Sequence, residues 1–350
     1  MQGPNSSGRI ESLARTAAGH GPSELARVDY LDGWRGLAIL LVLQAHFAGV
    51  PGFHGGRMGV DVFFCLSGVL MSGILFVKRT PLDIFYKRRI TRIIPSFLLY
   101  LVVVYGVSAA CGKIPAWSDI AATALFLRAY LPTDIPMFAT GIPTGHLWSL
   151  NVEEHCYVFL SLVTLIALAR KREGWILCLF GVLSVGIHLI YLKIRATAPP
   201  GDFWIRTEVA AGNLLLAAGY SLLKHRVVPH VRSWMPVATF LAAIFLYYGA
   251  IVPWIYTMTV APFLLAFTVN HLAETPRFVR RALSFAPLRL MGICSYSIYL
   301  WQQPFYHYRR EIGAALGGQP LAVLGIAVAT GFMMFYLFEN PVRTRLNKIW

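Results

Sequence analysis

The sequence is short of charge. Only 13% of its 350 residues are Asp, Glu, Lys or Arg, while 57% are hydrophobic; soluble domains carry about 25% charged residues. That shortage excludes an ordinary water-soluble fold and points to an integral membrane protein. Acidic residues are scarcest, 16 against 31 Lys and Arg, which leaves a net charge of +15. The basic residues lie in loops between apolar runs, so no nucleic-acid partner is expected. Cysteine is also sparse. Cys65, Cys111, Cys156, Cys178 and Cys294 stand in apolar surroundings with no C-x-x-C spacing, so neither a disulfide framework nor a metal site is expected, only packed thiols. The first 29 residues lack an apolar core of the signal-peptide kind and read as a mobile cytoplasmic tail. No internal repeat and no second soluble domain stand out.

Long apolar runs are what the sequence does have. A membrane helix needs about 20 mostly apolar residues. Ten segments qualify, at about 31–50, 58–77, 93–111, 146–169, 175–192, 207–223, 235–250, 254–272, 288–306 and 320–339. The run SDIAATALFLRAYL at 118–131 is short for a span and reads as interfacial or re-entrant. The basic residues test that choice. With a cytoplasmic N-terminus, 21 Lys and Arg fall on the cytoplasmic side and 8 on the other, which follows the positive-inside rule. Counting 118–131 as a span would turn the RKR at 170–172 outward. The expected fold is therefore all-α: a polytopic transmembrane helix bundle of about ten spans over 30–350, both termini cytoplasmic. Its basic collar would attract anionic lipids of the bilayer.

The first span, in YLDGWRGLAILLVLQAHF, carries Arg35 and His46. Eleven residues at 100° each bring the two back to one helical face, with a rise of about 16 Å between them. Arg35 then lies at the cytoplasmic end and His46 near mid-membrane. Ionisable groups at that depth face a bundle interior or a water-filled cavity. Two on one face favour a site over a lone structural hydrogen bond, and a neutral imidazole there suits a general base.

Six blocks now make a pattern. They are Arg35 and His46 separated by ten residues, GVDVFFCLSGVLMS, FYKRRITRIIP, GHLWSLNVEEHCYVF, CSYSIYLWQQPF and FENPVR. Together, in this order over about 30–345, they resemble the integral membrane acyltransferase 3 family. Two departures stand out: Gln302 occupies a position where the family often has His, and His155-Cys156 replaces a more usual Phe-containing pair. The resemblance implies an O-acyltransferase of a bacterial inner membrane. Its donor substrate would be acyl-CoA, most often acetyl-CoA, with no permanently bound cofactor. Its acceptor would be a glycan hydroxyl or, failing that, a small molecule such as an antibiotic sugar. A transporter is the rival from another class, since buried His, Glu and Arg also mark ion paths; the lack of a repeat speaks against it.

Roles follow for particular residues. His46 is the expected base. Arg35, Arg88, Arg89 and Arg92 would meet the donor's phosphates, because guanidinium groups bind phosphate bidentately. Positive-inside placement alone would also account for the last three. Glu153 shares a helical stripe with His146, Ser149 and Tyr157 and is chosen over Glu154 to orient His46 or bind an acceptor hydroxyl. A structural Glu–Arg pair is the alternative. Ser67, Ser295 and Tyr296 are candidate oxyanion donors, although hydroxyls often only join helices. Asp61 is expected to contact acceptor or, preferentially, to cap backbone. Glu339 is expected to pair with a cytoplasmic Arg.

Overall fold

The computed structural model describes residues 28–131, 137–166, 171–194 and 203–350. The expected tail therefore lies outside the described residues up to residue 27, as do Arg170 and Arg195. Among the described residues the chain is helical, with a single isolated bridge between Phe53 and Tyr248.

Helix α1 spans Asp29–Phe47. It is followed by α2 (Gly55–Ser72), which ends in a π-helical turn over Gly73–Val77, and by α3 (Leu82–Ala110). A short α4 (Trp117–Ala124) precedes α5 (Trp148–Leu165) and α6 (Glu173–Ile194). Then come α7 (Thr207–Ala210), α8 (Gly212–Leu223), α9 (Met235–Leu246), α10 (Trp254–Thr259) and α11 (Ala261–Asn270). The chain continues through α12 (Arg277–Leu283), α13 (Ala286–Ile293), α14 (Ser295–His307) and α15 (Arg309–Ala315). It ends with α16 (Pro320–Met334), a second π turn at Phe335–Glu339, and α17 (Asn340–Ile349).

Among the described residues, four continuous helical stretches are long and apolar enough to cross a membrane: Gly55–Val77, Leu82–Ala110, Glu173–Ile194 and Pro320–Ile349. Several other apolar segments are helical in shorter pieces. The segment expected at 288–306 breaks at Cys294 into α13 and α14. The run at 118–131 makes only the eight residues of α4 before turning. Large apolar side chains such as Val102, Leu162, Leu241, Leu321 and Leu337 remain exposed on these helices, the surface a lipid-facing helix presents. None of the five cysteines forms a disulfide among the described residues. Cys65, Cys156 and Cys294 are buried and Cys178 is half-buried, as packed thiols should be. Cys111 departs from that expectation: it is exposed, because it caps α3 where the helix end leaves its neighbours.

Helix α1 occupies the middle of the bundle, packed on α2, α13 and α14. Its approach to the α12–α13 segment is backbone to backbone. A Cβ on Gly33 would lie 1.6 Å from the carbonyl oxygen of Leu283, and one on Gly36 would lie 2.0 Å from that of Leu288. From the other side, a Cβ on Gly292 would lie 1.8 Å from the Asp32 carbonyl oxygen. Small residues are what so close a membrane-helix crossing requires. The seam brackets Arg35 and so fixes where that guanidinium starts. Gly36→Ala is expected to destabilise the fold by about 1–3 kcal/mol, the usual cost of overpacking. Thermal unfolding in detergent reads this, and an unchanged midpoint would show that the seam can slide apart freely.

Two apolar cores flank α1. Ile39, Val42, Leu43 and Phe47 face one, shared with α3, α5, α14 and α16. Trp34 and Ala38 face the other, shared with α8, α9 and α11. Helix α2 contributes to both.

Candidate active site

Arg35, Arg89 and Arg92 come from two helices, α1 and α3, and converge on one cavity of about 100 Å³. Ser67 of α2, Ser149 and Glu153 of α5, and Ser295, Tyr296 and Tyr299 of α14 complete its polar lining. Phe63, Phe64, Leu70, Met71 and Ile93 supply apolar walls. Of the stripe read at His146, Ser149, Glu153 and Tyr157, Ser149 and Glu153 face the space, while His146 and Tyr157 do not line it.

The three guanidinium groups are held differently. Arg35 lies 3.3 Å from Asp32, one turn back on α1. Arg89 is nearly buried, 3.4 Å from Glu154 and 4.0 Å from Glu153, with its guanidinium 3.6 Å above the centre of the Tyr157 ring. Glu153 in turn accepts hydrogen bonds from Ser67 and Tyr157. Arg89 is thus already neutralised by protein carboxylates. Arg92 lines the cavity and makes no hydrogen bond or ion pair that the described residues show. Arg88, one residue from Arg89 and so on another side of α3, is exposed and outside the cavity. Among the hydroxyls, Tyr296 donates to the Ile93 carbonyl oxygen at 3.0 Å, the structural use weighed for it above. Ser295 lines the cavity.

His46 is not among the residues that line this cavity, while Tyr299 and Ser149 are. The Tyr299 hydroxyl shares a 2.7 Å hydrogen bond with Ser149 Oγ and donates to the His146 carbonyl oxygen at 2.9 Å. One turn further along α14, Gln302 Oε1 lies 2.8 Å from His46 Nδ1. Gln302 Nε2 points to Gln303 Oε1 at 3.2 Å and to the Tyr299 carbonyl oxygen at 3.4 Å. The amide nitrogen is therefore used elsewhere, and its oxygen faces the imidazole. This network assigns the proton of a neutral His46 to Nδ1 and leaves Nε2 with its lone pair. Tyr306 stacks on the ring, centroids 4.0 Å apart at 15°. The ring is half-buried.

Gln302 thus takes the orienting contact that was expected of Glu153. Glu153 belongs to the Ser67–Tyr157–Arg89 cluster instead, because α5 points it into the cavity rather than toward the outer end of α1. Asp61 neither caps backbone nor lines the cavity. It is fully buried, bonded by Arg57 Nε at 3.0 Å and by the Tyr247 hydroxyl at 2.7 Å. Arg57 also sits over the rings of Trp148 and Trp204. A buried Asp needs such a cation, and the nearest one is a single turn back on α2. Glu339 lies 3.9 Å from an arginine, Arg343, one turn on, and accepts from Ser297 at 2.5 Å. It too is outside the cavity. Sequence reasoning passed over Tyr299 and Tyr306. Their spacing with Gln302, three and then four residues, was a legible helical stripe.

The model of an acyltransferase domain, that of the acyltransferase 3 family, matches residues 28–338. The O-acetyltransferase OatA of Staphylococcus aureus strain NCTC 8325 is 27% identical over 345 residues, covering 90% of this chain and 57% of OatA. OatA of strain COL aligns with the same figures, 27% over 345 residues. A further protein of strain COL, provisionally named an O-acetyltransferase, is 28% identical over 304 residues, covering 77% of this chain and 49% of its own. The chain spans about half the length of the curated relatives it matches. No solved structure matches. A family match over most of the chain, together with the Arg35/His46 helix set against an arginine-lined cavity, means that this chain belongs to the acyltransferase 3 family.

Proposed function

We propose that this chain is a membrane O-acetyltransferase that moves an acetyl group from cytoplasmic acetyl-CoA to a hydroxyl of a cell-surface or exported glycan. The carrying observation is the alignment of parts along α1. A cavity lined by Arg35, Arg92 and Tyr299 lies next to a half-buried His46, which Gln302, one helical turn after Tyr299, holds through Nδ1 with Nε2 free. The relatives' name, O-acetyltransferase, supports the reaction class.

In this reading the chain crosses a bacterial cytoplasmic membrane ten times, with both termini cytoplasmic. A reporter fused after Arg172 should read cytoplasmic; a signal from the opposite side would overturn the ten-span arrangement. Acyl-CoA is a substrate, not a resident cofactor. Its phosphates meet Arg92 and Arg35 at the cytoplasmic mouth, and its thioester reaches toward His46. Arg89, held by Glu153 and Glu154, supplies positive potential and shapes the wall. The exposed Arg88 belongs to the basic collar facing anionic lipid.

The acceptor arrives from the other side. Its hydroxyl gives a proton to His46 Nε2 as its oxygen attacks the thioester carbonyl. A C–O bond forms, the C–S bond breaks, and the imidazolium returns the proton to the departing thiolate of coenzyme A. Gln302 keeps the imidazole in the tautomer this needs. Glu153 acts from a distance, fixing Ser67 and Arg89.

The test uses the purified protein in liposomes with labelled acetyl-CoA inside and candidate acceptors outside. Label should appear as a base-labile ester on a polysaccharide or oligosaccharide. Label passing only to a small-molecule sugar would move the acceptor class. Absence of ester on any hydroxyl acceptor, with labelled acetyl-CoA intact, would overturn the enzyme reading.

A further inference from the structure

Of the three buried histidines among the described residues, only His146 leaves both ring nitrogens without a hydrogen-bond partner. His271 receives the Tyr220 hydroxyl at 2.7 Å on Nε2, and His188 leaves Nε2 alone. His146 is 5% exposed, so water does not serve it from the surface. A buried polar group without partners is unfavourable, and each instance asks for a reason.

The place of this ring supplies one. His146 sits in the 3₁₀ turn Gly145–Leu147 that leads into α5. Its ring is held between Tyr100 and Tyr299, centroids 5.4 and 5.2 Å away. Both neighbouring hydroxyls are committed elsewhere. Tyr100 donates to the Pro143 carbonyl oxygen at 2.5 Å, and Tyr299 is shared between Ser149 and the His146 backbone. Tyr299 and Ser149 both line the arginine-lined cavity, and Gln302, the partner of His46, is one turn beyond Tyr299. His146 is therefore packed against a wall residue of the donor cavity that is one turn from the partner of the base, with nothing bonded to its ring.

We propose that His146 is a second imidazole of the transfer site, donating a ring N–H to the carbonyl oxygen of the acyl group as the acceptor attacks. This rests on His46 being the base and a thioester being the donor. A neutral imidazole has one N–H to give, and the oxygen gains negative charge when the acceptor adds. A donor already held by packing needs no reorganisation at that moment, which is what makes such donors effective. During turnover the acyl oxygen would accept that N–H.

The experiment compares His146→Leu, His146→Gln and His146→Met with His46→Ala, each as full chain in liposomes with acetyl-CoA and the accepting glycan. His146→Leu should lower kcat by about 10²–10³-fold, the usual loss for one oxyanion donor, while KM for acetyl-CoA moves little. Its thermal midpoint should not fall, since no hydrogen bond is lost. His146→Gln, which keeps an N–H at similar reach, should recover part of the rate. Turnover of His146→Leu at the wild-type rate overturns the proposal, and so does a Gln variant no faster than Leu. Should His146→Leu fail to fold, the Gln and Met pair decides the question in the same way. A fully active His46→Ala alongside a slow His146→Leu would remove His46 as base and leave His146 standing. An inactive His46→Ala beside an unimpaired His146→Leu would overturn only the present inference.

Discussion

Replacing His46 with alanine is expected to lower acyl transfer by about 10²–10⁴-fold, the range over which a positioned base acts, while acetyl-CoA binding is retained. The two readouts separate because the cavity and the base are separate. His46 does not line the cavity, and no arginine of the cavity depends on it. The fold should also tolerate the change. His46 contributes one side-chain hydrogen bond and one stacked ring at the edge of the bundle, not a core anchor. Equilibrium binding of labelled coenzyme A and single-turnover transfer, measured on one preparation, check both halves. Wild-type transfer by the variant would sink the base assignment. A loss of binding of the same size as the loss of rate would mean that the histidine holds the donor.

The second large effect concerns Arg92. Arg92→Ala should weaken coenzyme A binding by about 10- to 100-fold, the worth of a charge-assisted hydrogen bond of roughly 1.5–3 kcal/mol, without harming the fold. The neighbouring arginines make the contrast. Arg88→Ala should leave affinity unchanged, because Arg88 is exposed and away from the cavity. Arg89→Ala should instead destabilise the protein, because it strands Glu153 and Glu154, both largely buried, without their cation. Removing one partner of such a cluster costs about 3–5 kcal/mol. Titration calorimetry and thermal unfolding on the three variants distinguish a ligand site from a structural pair. Equal affinities for wild type and Arg92→Ala would return the cluster to a lipid-facing role.

Much of this was readable before any coordinates. The face shared by Arg35 and His46 follows from eleven residues at helical pitch, and α1 is one unbroken helix over that stretch. The α5 stripe was readable for the same reason: a four-residue spacing fixes direction once the helix is given. What sequence could not supply was the partner on another helix. Gln302 and His46 are 256 residues apart, and their contact depends on how closely α14 approaches α1. The helix before it, α13, is brought onto α1 at Gly36 and Gly292, whose missing side chains carry no pattern of hydropathy. Asp61 was misjudged on the same ground. Its cation is on its own helix, but the reason it is needed, full burial under Tyr247, comes from α9's far end. The breaking of the 288–306 segment was hidden as well, since Cys294 is as apolar as its neighbours.

The hydrogen-bonded pair of Tyr299 and Ser149 has a bearing on bioenergetics. A continuous wet channel past the arginines and His46 to the opposite face would let protons hop from one compartment to the other. The cell would then lose the gradient that drives its ATP synthesis. In the proposed topology, Tyr299 and Ser149, bonded to each other at 2.7 Å on the cavity wall, would interrupt that wire. Substrate would then approach from both compartments while ions crossed from neither, and the pair would serve as insulation for the membrane as well as a wall for the donor.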